Sequence, residues 1–291
     1  MNGLYLSTLL FVLMACHSRP AVSQEPVALP QDTTSQHRYA WKNSYSTENK
    51  LINRIAPPPG YTRVETAPGS FAAWLRHLPL KTGKPDVHIY TGGLKGNQRA
   101  HFAVLDIDTG DKDLQQCADA VMRLRAEYLF AADSIAAIHF NFTNGFYCDF
   151  KKWAQGYRPV VQGNQVEWRK KADQNAGYPS FKKYLVQIFT YCGTQSLSME
   201  MKEKHVTEIA PGDVFIRGGF PGHAVIVLDV AVNETSSERV FLLAQSYMPA
   251  QDMHILINPN DPSLSPWYSN RITGRLVTPE WAFDSSELKE F

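Results

Sequence analysis

The sequence predicts an α+β domain, and three observations carry that prediction. A long amphipathic helix is written into residues 114 to 130. There Leu114, Cys117, Val121, Leu124 and Tyr128 recur at three and four residues and make one apolar stripe. The last third is rich in β-branched residues, in runs over Gly212–Ile216, Gly222–Val232 and Arg239–Ser246. Apolar residues make up 44% of the 291, enough to bury a sizeable core.

The chain opens on an apolar run, Leu4 to Met14, that ends in Leu13-Met14-Ala15-Cys16. The run is too short for a membrane span and has the length of a signal-peptide core. Small or apolar residues followed directly by Cys form a lipobox. Residues 1–15 are therefore expected to be removed and Cys16 to be acylated. Two or three acyl chains hold a protein on a membrane far better than one. The expectation is a bacterial lipoprotein, tethered outside the cytoplasm and on the periplasmic face of the envelope. An ordinary secretory signal with a chance Cys is the alternative.

Residues 16–50 are polar and rich in Ser, Thr, Gln and Pro, the composition of a flexible tether. A single domain is expected over 51–291. Pro57-Pro58-Pro59-Gly60 is a rigid extended entry. Ser70 caps a helix carrying Phe71, Trp74, Leu75 and Leu78. Val87–Tyr90 and Phe102–Ile107 read as strands. Asp113 and Gln116 form a capping-box pattern at the start of the long helix. Ile135–Phe142 reads as a strand, 144–178 as mostly irregular, and Phe181–Tyr191 as a helix ended by Gly193. Asn233–Glu238 is a polar turn that joins the two longest strands into an antiparallel hairpin, and His254–Ile257 adds another strand.

Charge excludes some functions. With 29 basic and 28 acidic residues the net charge is +1, and no basic stripe suggests nucleic acid. No zinc-binding spacing occurs, and no metal or organic cofactor is expected. Beyond Cys16 there are three cysteines, Cys117, Cys148 and Cys192, an odd number that leaves at least one thiol free or paired with another chain.

Two segments could carry chemistry together. One is Gln115-Gln116-Cys117-Ala118-Asp119 at the start of the long helix, where the helix dipole and free N–H groups favour a thiolate. The other is Pro211-Gly212-Asp213-Val214, then Gly222-His223 leading a strand. His223 can serve as the base, and Gln245 on the neighbouring strand can orient its ring; Ser246 and Asn233 are weaker choices. Each residue also has a plainer reading. Cys117 lies on an apolar stripe where a buried Cys is commonly a small hydrophobe, or it joins a disulfide. His223 is open to a role as a turn residue. Cys148 reads as core or disulfide and Cys192 as structural. Asp106 and Asp108 could suggest paired acids for glycoside cleavage, but alternate acids at a strand end commonly face solvent.

The segments Pro211-Gly212-Asp213-Val214 and Gly222-His223, with the helix-borne Cys117, resemble the papain-like superfamily, above all its NlpC-type and CHAP-type cell-wall peptidases and amidases. The resemblance spans about 111–256. It implies a papain-like core in which a Cys-bearing helix packs on an antiparallel β-meander, with an N-terminal extension. Cys117, His223 and Gln245 would then be the catalytic set of a cysteine hydrolase acting on peptidoglycan stem peptides. Asp113-Leu114-Gln115-Gln116-Cys117-Ala118-Asp119-Ala120, Arg123–Leu129 and Leu243–Gln251 also resemble a lipoprotein family known only as domain of unknown function 4846, over nearly the whole domain. That family implies no activity. The competing expectation is a non-catalytic envelope lipoprotein that binds glycan or protein partners through the aromatic stretches Phe140–Tyr157 and Trp267-Tyr268.

Overall fold

A computed structural model describes Met1 and residues 39–291 of the chain. The segment read as a signal peptide, beyond Met1, and Cys16 lie outside the described residues. Six α-helices are present among them: α1 (Leu51–Arg54), α2 (Phe71–Arg76), α3 (Cys117–Ala131), α4 (Phe150–Ala154), α5 (Tyr178–Tyr191) and α6 (Thr194–Glu200). None is long and apolar enough to cross a membrane.

A nine-stranded sheet organises the domain. Its strands are β1 (Thr62–Arg63), β2 (His101–Val104), β7 (Lys202–Glu203), β8 (Val214–Arg217), β9 (His223–Val232), β10 (Arg239–Gln245), β11 (His254–Leu256), β12 (Trp267–Ser269) and β15 (Leu288–Glu290). Three small hairpins stand outside it: β3 (His139–Asn141) with β4 (Tyr147–Asp149), β5 (Tyr157–Gln162) with β6 (Gln165–Lys170), and β13 (Arg275–Val277) with β14 (Ala282–Asp284). The sheet runs β2-β11-β10-β9-β8-β15-β7, with β1 beside β9 and β12 beside β10, and every pairing is antiparallel. The fold is therefore α+β, with the expected β9–β10 hairpin at its centre.

Both faces of the sheet are covered, so β9 and β10 read as nearly unbroken apolar runs. Ala224, Ile226, Leu228, Leu242 and Ala244 face the large core with α2, α3 and α5. Val225, Val227, Val230, Phe241 and Leu243 face a smaller core closed by Tyr268, Leu276 and Phe283. Each fully buried Val, Leu, Ile or Phe side chain among these contributes roughly 1.5–3 kcal/mol. A register shift between Leu242 and Leu243 bulges β9 and turns Asp229 toward α2, where it meets Arg63 at 2.6 Å and Arg76 at 2.7 Å.

Several expectations are corrected. The long helix begins at Cys117 rather than Leu114. Its cap is Gln116, whose N–H donates to Asp119 at 3.0 Å, while Asp113 accepts instead from the Gln116 side chain and from Ala250 N–H. Val87–Tyr90 forms only isolated bridges, and Ile135–Ala137 is a turn of 3₁₀ helix before β3. Residues 144–178 contain β4, α4 and the β5–β6 hairpin. The tether expected to reach residue 50 gives way earlier. Tyr39 is 3% exposed among Trp41, Tyr45 and Trp74, and Lys50 is fully buried. Asp106 and Asp108 follow the end of β2. Asp106 pairs with Lys42, and Asp108 with Arg123 and Lys182, so each carboxylate is committed to a cation.

Candidate functional site

Cys117 is the first residue of α3. The N–H groups of a helix's first turn have no partner within the helix, so they surround this thiol with donors. The helix is fixed there by its lead-in. Gln115 is buried and accepts from Arg123 at 2.8 Å, and its carbonyl lies 2.9 Å from the Ser246 hydroxyl at the end of β10.

His223 is the first residue of β9, and glycine before it is a steric requirement. A Cβ at Gly222 would lie 2.4 Å from both the Gly219 carbonyl oxygen and the Thr194 hydroxyl. Gly212, with φ +100° and room for a Cβ only 3.0 Å from the Phe71 ring, plays the same part before β8. Asp213 closes that turn by accepting from Ala210 N–H at 2.7 Å. The Pro-Gly-Asp and Gly-His pairs of the sequence are thus the two turns that feed β8 and β9.

Cys117 and His223 line one cleft of about 470 Å³, together with Asp119, Cys192, Thr194, Tyr247 and Trp281. The Ala224 N–H, one residue beyond His223, points at the Cys117 sulfur. No thiol–imidazole hydrogen bond is formed among the described residues. The His223 ring is 1% exposed, flanked by Tyr247, Trp281 and Phe283 at centroid distances of 4.8, 5.3 and 5.9 Å. Its Nε2 lies 2.9 Å from Gln245 Oε1. Gln245 Nε2 in turn donates to Glu280 Oε2 at 2.8 Å and lies 3.5 Å from His254 Nε2. Lys95 pairs with the other Glu280 oxygen.

Burial sets the charge states. It pushes the Cys117 thiol up to about 11, with Asp119 adding to the rise. The N–H groups of Ala224, Ala118 and Cys117 itself pull the other way and are outweighed. This corrects the expectation that the helix start would favour a thiolate. Burial also holds His223 down to about 4, against the opposing Gln245 bond. The cleft therefore holds a neutral thiol and a neutral imidazole.

The other two cysteines among the described residues are also free thiols. Cys148 is fully buried in the large core, and burial raises its pKa. Cys192, read from sequence as structural, caps α5 and lines the cleft, with burial holding its pKa well above the usual range. Ser246 bonds the lead-in of α3 rather than His223, and Asn233 sits in the turn at the far end of β9. Trp267 and Tyr268 are each 1% exposed and present no face to a partner. Among the described residues no group of three or more His, Cys, Asp or Glu could hold a metal ion.

Sequence reasoning missed Glu280, His254, Tyr247 and Trp281. His254 was within reach, because it pairs directly with Gln245 across β10 and β11. Glu280 had no signal, since it enters from a loop far down the chain.

A family model described as domain of unknown function 4846 matches residues 51–290. Neither a curated protein nor a solved structure matches the chain.

Proposed function

We propose that this chain, which belongs to the family described as domain of unknown function 4846, is a cysteine amidase or peptidase of papain-like architecture, tethered in the cell envelope by acyl groups on Cys16 and acting on cell-wall peptides. The observation that carries the proposal is the arrangement around His223. Its Nε2 is bonded to Gln245 Oε1 at 2.9 Å, and it shares a cleft with a thiol at the first position of a helix.

With Nε2–H donating to Gln245, the lone pair of the ring is on Nδ1. Nδ1 accepts the Cys117 proton as the sulfur attacks an amide carbonyl carbon, and the carbonyl oxygen takes the displaced electron pair. Backbone N–H groups at the start of α3 would stabilise that oxyanion. The tetrahedral intermediate collapses, the C–N bond breaks, and Nδ1–H passes its proton to the leaving amine. Water then hydrolyses the thioester with Nδ1 again as base. Because thiol and imidazole rest neutral, proton transfer accompanies attack and no preformed ion pair is needed.

One mass-spectrometric experiment tests both halves. The mature protein is labelled with iodoacetamide near neutral pH and its peptides are mapped. Cys117 should carry the label ahead of Cys192 and Cys148, His223→Ala should slow that labelling, and Cys16 should carry acyl mass. An unlabelled Cys117 in the folded protein removes the hydrolase, and an unacylated Cys16 removes the tether.

A further inference from the structure

Gln245 is a side-chain amide held from three sides, and its neighbours decide which way it faces. An amide and an imidazole each have alternative hydrogen placements, so their roles follow from partners whose own role is fixed. Two such partners surround Gln245 Nε2. Glu280 is a carboxylate paired with the Lys95 ammonium, and it can only accept. His254 has Nδ1 2.9 Å from the Asp252 carbonyl oxygen, so Nδ1 carries the hydrogen and Nε2 presents a lone pair. Burial holds His254 neutral, with its pKa down at about 3. Both groups near this end of the amide are acceptors, so the NH₂ belongs there and Oε1 belongs toward His223. His223 Nε2 must then be the donor, and Nδ1 is left bare.

We propose that Glu280, held by Lys95, is a positioning residue that selects the Nε2–H tautomer of His223 through the orientation of Gln245. The role of that tautomer rests on the cysteine-hydrolase reading, although the tautomer itself does not. Glu280 stands behind Gln245 and does not line the cleft. Its side chain is 14% exposed and that of Lys95 is 5% exposed, so water competes little for these bonds. The sequence places the relay on four separate segments: Lys95 follows the Gly92-Gly93 turn, His223 opens β9, Gln245 ends β10, and Glu280 precedes Trp281, whose ring flanks His223.

The substitution Glu280→Gln keeps the size of the side chain and reverses the logic. Lys95 demands an oxygen, so the new amide must turn its NH₂ toward Gln245. Gln245 then has to present Oε1 to it and NH₂ to His223, and the imidazole hydrogen moves to Nδ1. His254 Nε2 resists that flip, since it would meet an oxygen. Adding Lys95→Met removes the demand and lets the amide at 280 offer its oxygen to Gln245 again.

The test is nitrogen NMR of the full chain labelled with ¹⁵N-histidine, with His223 assigned through His223→Gln. The wild type should show His223 protonated at Nε2. Glu280→Gln should shift the population to Nδ1–H, and the Glu280→Gln/Lys95→Met double variant should restore Nε2–H. A merely structural role for Glu280 would not move a proton between ring nitrogens and back. A wild-type His223 protonated at Nδ1 overturns the proposal even if no variant folds, and so does a tautomer that ignores Glu280→Gln in a folded variant. Iodoacetamide labelling of Cys117 in the same samples separates the two readings. A tautomer that switches with no change in labelling upholds the relay and counts against the hydrolase. Labelling that depends on His223 beside a tautomer that does not switch overturns the relay alone.

Discussion

His223 and His254 are both kept neutral by the fold, and this makes a pH prediction. An unfolded histidine titrates near 6.5, whereas His223 is held down to about 4 and His254 to about 3, chiefly by burial. Below pH 6.5 the unfolded chain therefore binds protons that the folded chain refuses. Their contribution to stability is complete above about pH 6.5 and is lost as the pH falls toward 4. At about 1.4 kcal/mol per unit, His223 alone accounts for a loss on the order of 3 kcal/mol by pH 4. His223→Gln should remove that share. In denaturant unfolding at pH 7 and pH 4.5, the wild type should lose on the order of 2–3 kcal/mol more than the variant. Equal losses would mean that the ring is already solvated or charged in the fold. The turn that places His223 at the start of β9 was legible in the Gly-His pair, because only a glycine fits there. The state of Cys117 was not, because a thiol's pKa depends on what covers it, and Asp119 and the cleft walls come together only in three dimensions.

Asp229 shows what a single bulge does at the scale of elements. A regular β9 would alternate strictly, and the shifted register instead gives Leu228 and Asp229 the same side. The carboxylate, fully buried, meets Arg63 of β1 and Arg76 of α2, and so pins both elements to the centre of the sheet. Asp229→Ala would leave two guanidinium groups beside a neutral void. It should cost about 3–5 kcal/mol, seen as a large fall in melting temperature, while Asp229→Asn should fall between it and the wild type. A change near zero would show that water reaches both arginines. Neither the bulge nor the ion pairs were legible, since the run from His223 to Val232 reads as one apolar strand whether regular or bulged. The β5–β6 hairpin was missed for a different reason. Arg158, Glu167, Arg169 and Lys170 mask its period, although Gly163-Asn164, a two-residue hairpin signal, stands at its turn. The long helix was found by its stripe, but its start was misjudged by three residues because Asp113 offered a cap that Gln116 and Asp119 provide.

At the scale of the whole molecule, the matched family region begins at residue 51, yet the packed domain begins earlier. Tyr39 sits under Trp41 and Trp74 and donates to the Trp74 carbonyl oxygen, and Trp41 Nε1 donates to the Asp106 carbonyl oxygen at 2.8 Å. Lys50 pairs with Pro79 as an isolated bridge, and Leu51 N–H donates to Leu78. Polar composition hid this arm in the sequence, because three aromatic residues spaced through a Ser- and Asn-rich stretch have no periodicity to detect. A chain beginning at residue 39 should therefore be clearly more stable than one beginning at 51. Uncovering Tyr39 alone forfeits roughly 1.5–3 kcal/mol. For a domain of this size that is a fall of roughly 3–12 °C in melting temperature, at about 2–4 °C per kcal/mol. The arm braces α2 and the segment after β2, and none of its residues lines the Cys117 cleft. If the truncated chain still folds at low temperature, Cys117 should label at the rate of the longer one. Equal melting temperatures would return residues 39–50 to the tether, whereas a lower melting temperature with changed Cys117 labelling would mean that the arm reaches the cleft through the large core that α2 and α3 share.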